Sequence, residues 1–223
     1  IDHDDGSQTA WGYAPTKWSS QFRGTTIASK ITAIRLEMLT DPNLPLNGPG
    51  RSPTGLFALS EITIEVADAK TPDQRKPIKL IAASADFGNE EKPLDAMYDD
   101  RTNKKRVTGP VTFAIDGKDE TAWGIDAGPG RRNVDRKAVF ILETPITFPE
   151  GAVLTFNLKQ MHGGWNSDDN QNNNLGRFRF SVTNAETPKA DPIPKRLREL
   201  FNTPRDQRTP AQIGAIFQVW RAS

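Results

Sequence analysis

KITAIRLEML, Lys30 to Leu39, decides how this chain is read. Ile34, Leu36 and Met38 fall on one side and Arg35 and Glu37 on the other, the period-two alternation of a half-buried strand. The pattern returns twice further along the chain. Leu56 to Ala67 sets Leu59, Ile62, Ile64 and Val66 in an apolar row; Ala152 to Met161 does the same with Leu154, Phe156 and Leu158. Phe178, Phe180 and Val182 make a closing strand. Lys17 to Ile27 alternates weakly, and Ile78 to Ala85 begins another strand. Lys137 to Leu142 is apolar on both faces, so either Val139 and Ile141 or Phe140 and Leu142 point inward. Gly and Pro number 17 each, so turns are plentiful, and no clear helical period precedes the tail. The expected fold class is all-β: an antiparallel β-sandwich with Ile34, Leu36, Ile62, Ile64, Phe156, Leu158, Phe178 and Phe180 inside.

Three stretches echo one another in order. ITAIRLEML (31–39) aligns with VLTFNLKQM (153–161), and GLFALSEIT (55–63) with GRFRFSVT (176–183). DDGSQTAWG (4–12) repeats the Asp-Gly turn and Thr-Ala-Trp run of FAIDGKDETAW (113–123). Collinear matches offset by about 111–122 residues point to internal duplication with loop insertions. The expected layout is a first β repeat over 1–68, incomplete at its N-terminus, and a second over 78–187. The charged, Pro-containing segment 68–77 links them, and 86–108 reads as a loop crossing the surface. Residues 188–223 form a tail, Pro-rich and then helical. There Thr209 caps a helix with Pro210 in its first turn and Ile213, Ile216, Phe217 and Trp220 along one face. The incomplete first repeat leads us to expect a piece of a longer polypeptide.

Composition narrows the chemistry. There is no Cys, which removes disulfides, thiolate nucleophiles and sulfur-ligated metals. A net charge of +1 gives no overall attraction to nucleic acid or membrane. No window approaches the ~20 apolar residues of a membrane span. Two His and no Gly-x-Ser-x-Gly elbow leave little for a nucleophilic triad. No carboxylate pair stands on a strand beside an apolar neighbour that would raise a pKa. The chain therefore reads as a non-catalytic binding module. A scaffold that packs neighbouring domains, with Trp18 and the two Gly-Pro-Gly-Arg loops as contacts, is the alternative, and a glycan-active enzyme stands behind both.

Two stretches carry candidate sites. The Asp116–Thr121 turn is crowded with carboxylates, a hydroxyl and free carbonyls, which is what a hard cation such as Ca²⁺ takes; a plain polar turn before a core Trp123 is the other reading. The loop HGGWNSDDNQNNN (162–174) has little to bury except Trp165, and ordering it costs roughly 1–2 kcal/mol per residue. It is expected either to be a polar loop with Trp165 tucked on the fold, or to form one rim of a glycan site. In that site Trp165 is the stacking platform, His162 and Asn166 bond sugar hydroxyls, and Arg131 or Arg132 faces an acidic group.

Two resemblances add to this. IAAS (81–84), AIDGKDETAW (114–123) and the strand-rich remainder resemble the discoidin or galactose-binding-like jelly-roll family, which includes many carbohydrate-binding modules. AIRLEML (33–39), LPLNGPGRSPTGLFALSEITI (44–64), SADF (84–87), AIDGKDETAWGI (114–125) and LGRFRFSVT (175–183) resemble the region between the two conserved domains of large planctomycete cytochrome c-containing proteins. The second resemblance implies a periplasmic or cell-surface location inside a larger polypeptide, whose haem would sit in other domains because no Cys is present here. The first implies a structural Ca²⁺. Its ligands would be Asp116, Asp119 and Thr121 in the second unit and Asp5 and Thr9 in the first, with Glu61 matching the closing-strand acid. Val182 stands at that last place in the second unit, and Glu186 is the nearest acid. The partners so implied are a polysaccharide or glycan and other domains of the same polypeptide.

Overall fold

The alternation at Lys30–Leu39 becomes a strand in which Ile34, Leu36 and Met38 are fully buried. The computed structural model around it describes residues 1–165, 169–191, 193 and 195–222. Contacts divide the chain into two units, 1–190 and 191–223.

In the first unit, β1 (Gln8–Thr9), β2 (Trp18–Thr26) and β3 (Lys30–Leu39) precede β4 (Ala58–Leu59), β5 (Glu61–Asp68), β6 (Lys76–Ile78) and β7 (Leu80–Ala85). Then come β8 (Lys92–Pro93), β9 (Val107–Gly109), β10 (Thr121–Gly124), β11 (Arg136–Thr147), β12 (Ala152–Gln160) and β13 (Arg177–Thr183). A five-stranded sheet runs β1-β13-β3-β11-β7 and a four-stranded sheet β2-β12-β5-β6, with antiparallel pairing throughout both. A third sheet runs β4-β10-β9-β8, in which β10 and β9 are parallel.

One apolar cluster takes side chains from all three sheets. Phe156 of β12 stacks on Phe180 of β13 at 3.8 Å, and Phe22 of β2 meets the edge of Phe178 at 4.7 Å. Each large side chain buried there contributes ~1.5–3 kcal/mol. Seven of the eight side chains expected inside are buried; Phe180 is only partly so, but packs on the cluster. On β11, Phe140 and Leu142 enter this cluster, while Val139 joins Ala33 and Ala190 in a smaller one on the opposite face.

The expected boundary between residues 68 and 78 does not separate compact units, because strands from the two halves alternate. β12 lies between β2 and β5, and β3 lies between β13 and β11. The aligned segments also pair crosswise: β3 with β13 in one sheet, β12 with β5 in the other. The segment 86–108, expected as a surface loop, supplies β8, a 3-10 turn at Ala96–Tyr98 and β9. Strands of two or three residues are too short to show a period. They frame Trp123 of β10, which is fully buried, donates from Nε1 to the Phe87 carbonyl at 3.0 Å and stands edge-on to Phe57.

The second unit holds α1 (Lys195–Asn202) and α2 (Pro210–Ala222), the latter where the tail's period placed it. Among the described residues no helix is long and apolar enough to cross a membrane.

Candidate functional site

The loop after β12 is built from beneath. Arg106, 7% exposed, sends Nη1 to the Met161 and Gly163 carbonyls at 2.8 and 2.7 Å and Nη2 to the Tyr98 carbonyl at 2.6 Å. Its charge is met by Asp100 at 3.4 Å, which also takes Lys17 at 2.5 Å. His162 is buried next to it. Its Nε2 faces the Val107 carbonyl at 2.9 Å and so carries the proton, leaving Nδ1 to accept from the Ser60 hydroxyl at 3.0 Å. Burial, with the Arg106 guanidinium helping, pushes its pKa down to about 4, so the ring is neutral at pH 7. His162 thus has no free nitrogen for a ligand, and its expected role as a hydroxyl partner is corrected to a structural one. Asn172, Asn173 and Asn174 are also buried. A loop that looked as if it had nothing to bury is held by its polar groups.

Against this loop lies the segment from Ala10 to Trp18. The Asn174 amide donates to the Pro15 carbonyl at 2.7 Å. Gly163 passes so close to Thr16 that a Cβ there would lie 1.6 Å from the Thr16 oxygen, which only glycine allows. Arg51 reaches the Gly12 carbonyl. So fixed, the segment leaves Trp11, Tyr13 and Trp18 exposed at 69%, 62% and 51%. Two adjoining hollows, of about 420 and 290 Å³, share Ala10, Trp11 and Arg51. The first is rimmed by the amides of Asn43, Asn170 and Asn172; the second has Phe22, Leu158 and Phe178 in its floor and Gln160 and Asn174 in its wall.

The residues expected at the site are scattered around it. Trp165 is 52% exposed, but the Arg101 guanidinium lies 3.6 Å over its ring, so one face is already covered. Arg132 grips Asp126 through Nε at 2.6 Å and Nη2 at 3.1 Å, and lines a different cavity. Arg131 is exposed in the turn closed by its amide on the Gly128 carbonyl. Asn166 lies outside the described residues. Sequence reading missed Trp11 and Tyr13 and took Trp18 and the Arg51 loop only as domain contacts; the signal was three large aromatics crowded between Trp11 and Trp18.

The acidic turns close on themselves. Both Asp116 carboxylate oxygens accept from the Thr121 hydroxyl at 2.9 Å, and Oδ1 also accepts from the Lys118 amide. Asp119 faces the Lys159 ammonium at 3.2 Å. Glu61, assigned above to the first repeat, comes instead to this turn and accepts from the Gly117 amide at 2.9 Å. In the turn of the first repeat, Asp5 accepts from the Ser7 amide and hydroxyl and faces Arg177 and Arg179, while Thr9 pairs with His3. Where a cation was expected beside Asp5, two guanidiniums stand. Among the described residues no group of three or more His, Cys, Asp or Glu is placed to hold a metal.

Comparison with family models, curated proteins and solved structures finds no match. At the acidic turn the Glu61 carboxyl is strongly perturbed. Burial first, and then the Asp116 and Asp119 charges, push it from 4.5 up to about 7, against the Gly117 amide and the Lys159 ammonium. A carboxyl whose pKa is raised on folding stabilises the fold fully below pH 4.5, and that stability is lost as pH rises towards 7. Glu61→Gln keeps an acceptor for Gly117 and removes the charge. It is expected to raise stability at pH 8 by about 1–2 kcal/mol, after screening at this half-exposed carboxyl, and to flatten the slope across that window. Chemical denaturation across pH checks it; a loss of stability in Glu61→Gln seen only with added calcium would show instead that the turn holds the ion.

Proposed function

We propose that the chain is a non-catalytic carbohydrate-binding module, with the face formed by Trp11, Tyr13 and Trp18 around Arg51 as its polysaccharide-binding surface. The observation that carries this reading is the exposure of three large aromatics on a segment pinned at Gly12, Pro15, Thr16 and Lys17. Leaving such area in water is costly unless a partner covers it. Aromatic faces cover the C–H surface of a sugar ring, and the surrounding amides and guanidinium satisfy its hydroxyls.

We read the two antiparallel sheets that share one core as a β-sandwich of the jelly-roll, galactose-binding-like type, arisen by duplication with exchange of strands. The crosswise pairing of the aligned segments supports this. A periplasmic or cell-surface location within a larger polypeptide follows from the resemblance to the planctomycete proteins.

Trp11→Ala and Trp18→Ala are each expected to weaken retention on the preferred polysaccharide roughly thirtyfold in affinity electrophoresis, as truncating an aromatic anchor costs about 2 kcal/mol. Stability should stay within about 0.5 kcal/mol of the parent protein, because both side chains are exposed. Trp165→Ala, with one ring face already under Arg101, should cost less. Retention unchanged in Trp11→Ala and Trp18→Ala would sink the reading, and the domain-packing scaffold would replace it.

A further inference from the structure

The third sheet covers a cavity of about 250 Å³ that shares no lining residue with the two aromatic hollows. We propose that it is a separate binding site for a single neutral, hydroxyl-rich ring: one monosaccharide or a polyol of that size. This goes beyond the aromatic face and does not depend on it.

Size sets the first limit. At about 250 Å³ the cavity falls just under the ~300–1,000 Å³ of sites for drug-sized ligands, so it takes one small ring and not a chain. Charge sets the second. Lys92 and Arg132 both hold Asp126, at 2.7 and 2.6 Å, and Asp95 balances the remaining cation. The Arg132 bond keeps the Asp126 carboxyl well below its usual range, so it stays ionised. The wall sums to zero charge yet offers strong donors and strong acceptors together. A free anion or cation would displace an existing ion pair; a hydroxyl, which donates and accepts, adds to it.

The mixed lining sets the third limit. Asn89 and Asn173 line the cavity, each 7% exposed, and the Oδ1 of each has no donor. Asn89 spends its Nδ2 on the Glu90 carbonyl at 2.7 Å and the Thr108 hydroxyl at 3.3 Å. Those two Oδ1 oxygens are sealed off from a water-sized group, so the polar groups a ligand would meet are the Lys92, Asp95, Asp126 and Arg132 side chains, which favour a ligand that both donates and accepts over an apolar one. Phe57 and Ile125 give the same cavity an apolar side for ring C–H groups. Met97, 39% exposed, stands at its rim.

Ligand-observed saturation-transfer NMR on the full 223-residue chain tests this, with glucose, galactose, mannose, xylose and glucuronate as probes. At least one neutral sugar is expected to bind, and more tightly than glucuronate. Arg132→Met should weaken it about tenfold or more. Met97→Trp plugs the rim without touching the ion pairs, and should abolish the signal even if Arg132→Met fails to fold. Trp18→Ala should leave the signal unchanged. Silence from all four neutral sugars overturns the proposal. So does tighter binding of glucuronate, which would mean an anion site. A signal that survives Met97→Trp but disappears in Trp18→Ala would place the sugar on the aromatic face.

Discussion

Arg106→Met is expected to destabilise the protein by about 3–5 kcal/mol, with the midpoint of urea unfolding falling and its slope unchanged. The guanidinium is the shared partner of three backbone carbonyls, on Tyr98, Met161 and Gly163, and of Asp100. Methionine fills much of the same volume but leaves those carbonyls without their donor and, among the described residues, leaves Lys17 as the ion-pair partner of Asp100. Arg106→Lys should recover only part of the loss, because one ammonium cannot span carbonyls that a planar fork reaches together. The effect should extend to function. The 161–165 segment braces Thr16 through Gly163, so loosening it frees the aromatic segment. Retention on polysaccharide should weaken in Arg106→Met although Arg106 lines neither aromatic hollow. A loss below about 1 kcal/mol would show that water replaces the guanidinium at those carbonyls.

The sheets were legible because their residues alternate. Ile34, Leu36, Ile62, Ile64, Phe156 and Leu158 are buried where period two put them, on strands of eight residues or more. The third sheet was not legible, since β4, β8, β9 and β10 run from two to four residues and their pairing joins segments distant in sequence. The site was half legible. The loop 162–174 does border it, but composition alone suggested an unsupported polar loop. What supports it is a buried Arg106 more than fifty residues earlier in the chain, within a stretch read as surface. Likewise Glu61 reaches the Asp116 turn only through the fold, from a position 56 residues away. Polar burial depends on partners that three-dimensional pairing supplies, and hydropathy does not register it.

The Thr-Ala-Trp-Gly run, which occurs at 9–12 and again at 121–124, gives the sharpest contrast. Trp123→Ala is expected to cost about 3–5 kcal/mol, the range for emptying a core aromatic site, whereas Trp11→Ala should stay within about 0.5 kcal/mol. Trp123 sits in β10 with β4 on one side and β9 on the other, fully buried, its indole N–H bonded to the Phe87 carbonyl and its ring against Phe57. Truncation removes that packing, opens a cavity and leaves the Phe87 carbonyl without this donor. Trp123→Phe should restore part of the packing but not the hydrogen bond, and so fall between the two. Trp11 follows β1, a two-residue strand at the edge of its sheet, beside Gly12 at φ +79°, and its ring stands in water. The same four residues therefore divide into a buried core position and an exposed one. Denaturation and polysaccharide retention, measured together on both variants, should show Trp123→Ala losing stability first and Trp11→Ala losing retention alone. Comparable destabilisation by the two would mean that the ring of Trp11 is packed in solution, and the aromatic face would lose its anchor.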